Sequence, residues 1–124
     1  MPTFNVFDKN CPTRLILDRL SDKWTFLVLD KLAGNTVRFN QLKRNIGGIS
    51  QKMLSQTLQK LERDGLVQRQ AFLTRPVTVE YSLTELGRTL TTTVGHLIHW
   101  TENNISAVHF AHNRYDVAAR NIPE

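Results

Sequence analysis

Apolar residues recur along most of this chain at intervals of three and four, and over one stretch at intervals of two. The first spacing marks one face of a helix; the second marks a half-buried strand. Leu15, Ile16 and Leu20 follow the helical rule after Cys11-Pro12, where a proline suits the first helical position. Ser21 or Asp22 then restarts the chain as the cap of a second helix, KWTFLVLDKL. Trp24, Leu27, Val28 and Leu32 share one of its sides and Phe26 and Leu29 another, so it is predicted to be buried between neighbours. Ala33-Gly34-Asn35 stops it.

Thr36 to Phe39 reads as a brief extended piece. Asn40 is the expected cap of a short third helix, QLKRNI, with Leu42 and Ile46 turned inward, and Gly47-Gly48 makes the tight turn that follows. A fourth helix runs from Ser50 to Asp64, with Gly65 as a left-handed stop. Leu54, Leu58 and Leu61 define its buried face; Gln51, Lys52, Ser55, Gln56 and Gln59 lie opposite. LVQRQAFL and VTVEYSLT are two strands joined at Thr74-Arg75-Pro76, and in the second Val77, Val79, Tyr81 and Leu83 alternate with Thr78, Glu80 and Ser82. Thr84 caps a long helix to about Asn104 that bears Leu86, Leu90, Val94, Leu97 and Ile98, and a further helical stretch is expected over 105–115. This order predicts a winged helix-turn-helix, a mainly α fold with a small β-ribbon (α+β) and a closing C-terminal helix.

The 124 residues suit one domain with a real core and show no repeat, low-complexity tract or linker. The net charge of +5 is unevenly placed. Between Thr36 and Pro76 stand Arg38, Lys43, Arg44, Lys52, Lys60, Arg63, Arg69 and Arg75 against only Glu62 and Asp64, a local +6 that leaves −1 for the rest. A positive field confined to one third of a small domain suits either a polyanionic partner or a solvated basic surface. The start, MPTFNVFDKN, lacks a signal peptide's basic and apolar regions, and no apolar run nears the roughly 18 residues that span a bilayer. A cytoplasmic protein without a membrane partner is expected.

The third and fourth helices with Gly47-Gly48-Ile49 between them make the helix-turn-helix, whose second helix enters the DNA major groove. That helix carries no carboxylate in its first three turns. Gln51, Gln56 and Gln59 present amides suited to adenine, Ser55 a hydroxyl suited to several bases, and Lys52 a cation for guanine or phosphate. Ser50 caps the helix and leaves neighbouring amides free for a phosphate. Arg38, Lys43 and Arg44 are expected at phosphates, as is Arg69, while Arg75 at the wing tip can reach the minor groove. The alternative for each is an ordinary solvated polar face.

The run from CPTRLILDRLSDKWTFLVLDKL through RFNQLKRNIGGISQKMLSQTLQKLERDGLVQR to VEYSLTELGRTL resembles the HxlR-type family of bacterial winged-helix transcriptional regulators, relatives of the MarR group. The likeness covers about residues 11 to 104, and Arg114-Tyr115-Asp116 adds to it. It implies a homodimer on a palindromic double-stranded operator, commonly as a repressor and sometimes as an activator. Residues 1–124 then form a single winged domain, with a DNA-binding part over about 11–84 and dimerisation helices over about 85–115. Leu90, Val94, Leu97 and Ile98 supply apolar surface for the second copy, and Trp100 joins them or plugs the helix end.

Many members of that family sense oxidants, quinones, aldehydes or other electrophiles through a cysteine just before the first helix, the position of Cys11. A helix N-terminus lowers a thiol's pKa below its free value of about 8.5. Lys9 and Arg14 are expected to assist and Asp8 to oppose. The lone cysteine excludes an internal disulfide, so oxidation ends in a Cys11–Cys11 bridge between copies, a mixed disulfide, or an alkylated or overoxidised sulfur. An inert thiol packed by the partner is the alternative. His96-x-x-His99 and His109-x-x-His112 lack accompanying ligands beyond Glu102, so no metal and no cofactor are expected. No phosphate loop, dinucleotide pattern or nucleophile–base pair marks an enzyme. Beside the thiol-responsive regulator stand a regulator that takes a non-covalent small ligand and a winged-helix protein-interaction module.

Overall fold

A computed structural model describes residues 3–121, so the outermost residues of the expected 1–124 domain, and the first two of the stretch MPTFNVFDKN, lie outside the described part. Six helices and three strands alternate along it: α1 (Pro12–Leu20), α2 (Lys23–Leu32), β1 (Val37–Arg38), α3 (Phe39–Asn45), α4 (Gln51–Arg63), β2 (Val67–Phe72), β3 (Thr78–Leu83), α5 (Glu85–Arg88) and α6 (Thr91–Arg120). They fall into two compact units, one reaching Val94 and the other starting at Gly95. Mainly helical structure with a small antiparallel sheet is the architecture expected of a winged helix-turn-helix.

The first unit's core is built where the spacing rule places it. Val28, Leu29 and Leu32 of α2, Leu42 of α3, and Leu54, Leu58 and Leu61 of α4 are buried against Leu66, Val67, Tyr81 and Leu83 at the base of the sheet. Asp22 is the cap of α2, its carboxylate accepting from the Trp24 N–H at 3.4 Å. Ala33 ends α2, and Gly34 leaves it at φ +73°. The sheet runs in the order β1-β3-β2 with both pairings antiparallel, so Val37, Tyr81 and Arg69 stand side by side across it.

Several expectations are corrected. Asn40 does not cap α3: Arg38 occupies that position with extended backbone and no capping side chain. Pairing of Arg38 with Glu80 in β3 holds it extended and starts the helix at Phe39. Its ring then lies 6.4 Å from that of Tyr81. Val77 falls outside β3 and is 62% exposed, while Tyr81 and Leu83 are buried. The ribbon outruns the core, so alternation buries only its base. Thr84 caps α5 alone, accepting from the Gly87 N–H at 3.0 Å. After Thr89 the chain turns, and α6 then continues unbroken past Asn104, whose amide donates back to the Trp100 carbonyl at 2.8 Å. α1 buries none of its residues; Leu15, Ile16 and Leu17 are exposed.

Candidate nucleic-acid interface

Leu42 on α3, Ile46 at its C-cap, Ile49 in the turn and Leu54 on α4 are all buried, and they fix the angle between the two helices. Gly48, at φ +84°, supplies the left-handed step that the turn requires. Ser50 then caps α4, its Oγ accepting from the Met53 N–H at 3.0 Å. Ile49 and Leu54 occupy the two positions of a hydrophobic staple, which sets the direction in which the chain enters the helix.

With the leucine face inward, Gln51, Lys52, Gln56 and Gln59 are exposed and Ser55 is half-buried. Lys43 and Arg44, in the last turn of α3, are exposed as well, as are Arg38, Ser50, Arg69 and the wing-tip Arg75. The structure divides these residues into two sets. Ser55 and Gln59 face an open groove of about 930 Å³ together with Arg38, Arg44 and Arg69. Ser50, Gln51, Lys52 and Gln56, with Lys43 and Arg75, lie outside it. Phe39, Val77, Val79 and Tyr81 give the groove an apolar lining.

Four polar groove residues were not among the site residues expected from the sequence: Asn40, Gln41, Glu62 and Thr78. Glu62 was within reach, since it follows Ser55 by seven residues and Gln59 by three and so shares their side of α4. The partner of Arg38 was not. Its Nε lies 3.8 Å from Oε1 of Glu80, a cross-strand neighbour forty-two positions away in the chain. Three arginines thus dominate a groove that also holds or borders two carboxylates, a balance suited to an anionic strand.

The far end of α4 is enclosed. Gly65 leaves it at φ +78°, the Gly65 N–H returns to the Glu62 carbonyl, and the Leu66 N–H returns to that of Leu61 at 3.0 Å. These two bonds satisfy carbonyls that the helix leaves open. The Thr84 hydroxyl donates to the Gly65 carbonyl, and the Thr84 N–H donates to that of Leu66 at 3.1 Å.

Cys11 is the N-cap of α1 and is 9% exposed. Its Sγ lies 2.9 Å from the Thr13 hydroxyl. That hydrogen bond is the main reason its thiol pKa is lowered; burial opposes it, and backbone groups of Thr13, Asn5 and Arg14 assist. The expected help from the charges of Lys9 and Arg14 is not the cause. Arg14 instead donates to the carbonyls of Val6 and Phe7 at 3.1 and 2.9 Å, and the Asp8 carboxylate accepts from the Asn10 N–H at 3.0 Å.

Of the residues assigned to a second copy, Val94 is only 2% exposed within the first unit's own core, which removes it from any outer face. Leu90 there is half-buried. In the second unit Ile98 is half-buried, while Leu97 and Trp100 are exposed, as are Ile105, Phe110, Tyr115 and Val117 further along α6. No helix among the described residues is long and apolar enough to cross a membrane.

Residues 19–109 match the model of the HxlR-like helix-turn-helix family. The HTH-type transcriptional regulator YtfH of Escherichia coli K12 is 44% identical over 104 residues, which cover 84% of this chain and 82% of that protein. Among solved structures, the transcriptional regulator ytfH of Salmonella typhimurium superposes with a TM-score of 0.84 at 40% identity, over 90% of this chain and 99% of its own. The redox regulator HypR, in its reduced form, superposes with a TM-score of 0.71 at 37% identity, over 79% of this chain and 97% of its own.

Proposed function

The chain belongs to the HxlR-like helix-turn-helix family of DNA-binding transcriptional regulators, and from that premise we propose that it acts as a homodimer on a palindromic operator, as a repressor whose hold on DNA responds to oxidants or electrophiles at Cys11. One observation carries the reading. Three buried leucines fix α4 so that its first three turns offer amides and hydroxyls without a carboxylate, beside a groove lined by three arginines.

In this reading Gln51, Lys52, Ser55 and Gln56 meet base edges in the major groove. Gln59, standing in the arginine groove, serves the nearer backbone or an adjacent base. Arg38, Lys43, Arg44 and Arg69, with the amides next to Ser50, hold phosphates, and Arg75 reaches the minor groove from the wing tip. Each bound duplex carries two copies of this surface, joined through exposed apolar residues of α6, Leu97 and Trp100 among them, with Leu90 and Ile98 at their margins.

The thiol arm draws on the lowered pKa of Cys11 and on the likeness to HypR, a redox regulator solved in reduced and oxidised forms. With diamide, two Cys11 thiols from two copies lose two electrons and two protons and form one disulfide, while the diazene becomes a hydrazine. In the presence of a small thiol, a mixed disulfide forms instead.

Duplexes enriched from a random pool, titrated in gel-shift assays over a range of salt, test the DNA arm. Log K is expected to fall linearly with log salt, by about 0.9 per phosphate contacted. Binding that ignores salt and enriches no sequence would favour a protein-docking module instead. Diamide treatment with mass spectrometry tests the thiol arm: unchanged affinity despite full Cys11 modification rules it out. Thr13→Val removes the hydroxyl that stabilises the thiolate, so the pH midpoint for alkylation of Cys11 moves upward and the rate at neutral pH falls.

A further inference from the structure

Arg19 stands in the last turn of α1, and its Nη1 donates to both carboxylate oxygens of Asp64 at 2.6 Å. At 27% and 10% side-chain exposure, this is the most enclosed ion pair among the described residues. Charged hydrogen bonds this short and this sheltered from solvent restrain geometry far better than exposed pairs do.

The position of Asp64 makes the pair informative. Asp64 is the C-cap of α4, where the negative pole of the helix disfavours a carboxylate. Its own N–H still bonds the Lys60 carbonyl, and the two returning bonds of the helix end follow at once on Gly65 and Leu66. A carboxylate at that place needs a cation, and α1 delivers one from 45 positions earlier in the chain. The remaining end contacts, from Thr84 and Gly87, come from the opposite direction along the sequence. Arg19 is therefore the tie that references α4 to α1.

A helix of 13 residues is about 20 Å long and stiff, so a small tilt allowed at its last residue displaces its first turn. Base-edge hydrogen bonds tolerate little displacement, whereas phosphate contacts through long side chains adapt. We infer that Arg19 is a positioning residue for DNA recognition: through Asp64 it sets the tilt of α4, and so ties the alignment of the amide-bearing turns with the bases to the placement of α1. This rests on the DNA-binding reading.

The experiment uses the full chain, a duplex enriched by the wild-type protein from a random pool, and a scrambled duplex of equal composition. Arg19→Met is expected to weaken the enriched duplex about tenfold while the scrambled duplex stays within about twofold and the salt slope is unchanged. Arg19→Lys restores most of the loss, and so does the exchange Arg19→Asp with Asp64→Arg. If Arg19→Met does not fold by circular dichroism, Asp64→Asn, which keeps the side-chain shape, takes its place with the same expectation. Full discrimination in the folded variant, or equal losses on both duplexes, overturns the inference and leaves the DNA-binding reading standing. A wild-type protein that enriches no duplex overturns both.

Discussion

The two ends of α4 are held by different means. At its start one serine hydroxyl and the buried pair Ile49 and Leu54 fix the entry, and the side chains of Gln51, Lys52 and Met53 are exposed. At its finish, contacts converge from α1 through Arg19, from the close of β3 through Thr84, and from α5 through Gly87, whose missing side chain lets it abut the Leu66 carbonyl. A surface meant for another molecule cannot be braced by its own protein without being covered. Accuracy at the free end therefore has to come from rigidity at the covered one, transmitted along the leucine face.

This contrast can be broken most severely in the middle. Leu58→Ala removes a fully buried side chain that serves both ends, and should cost about 2–5 kcal/mol in urea denaturation. Gly87→Ala attacks the covered end alone. Its methyl would collide with the Leu66 carbonyl, so a loss of about 1–3 kcal/mol and a lower melting temperature are expected. A near-neutral result would mean that the covered end yields easily. Ser50→Ala loosens the free end by about 1 kcal/mol, the usual effect of losing such a cap, and Ser50→Gly should lose less. Smallest of all, Gln56→Ala should change stability by less than about 0.5 kcal/mol. Its effect belongs in gel shifts, as reduced preference for the enriched duplex over the scrambled one, whereas Lys43→Ala weakens both alike.

The parts legible in the sequence are those whose physics is local. α2 and α4 announced themselves through apolar spacing, Ser50 and Gly65 through the chemistry of helix ends, and the wing through alternation near Tyr81 and Leu83. What stayed hidden depends on partners far away along the chain. The extended piece at β1 was legible, but its partner was not: neither Val37 nor Arg38 declares the pairing with β3. Arg19 looks like any surface cation until Asp64 is folded against it. The continuity of α6 was obscured by Asn103-Asn104-Ile105, residues of modest helix propensity that read locally as an ending. The exposed side of α1 could not be foreseen either, because apolar spacing reports a face and not its cover.

Several contacts converge on the backbone of Leu66. Its N–H closes α4, its carbonyl receives Thr84 and shoulders Gly87, and the strand that carries Arg69 begins at the next residue. Strand side chains change face at every step, so one residue gained or lost between Asp64 and Val67 would turn the arginine of β2 from the groove to the opposite surface. The loop spanning residues 73–77, exposed and outside both strands, has no such restriction. Variation in chain length can be absorbed at the tip of the ribbon and not at its root.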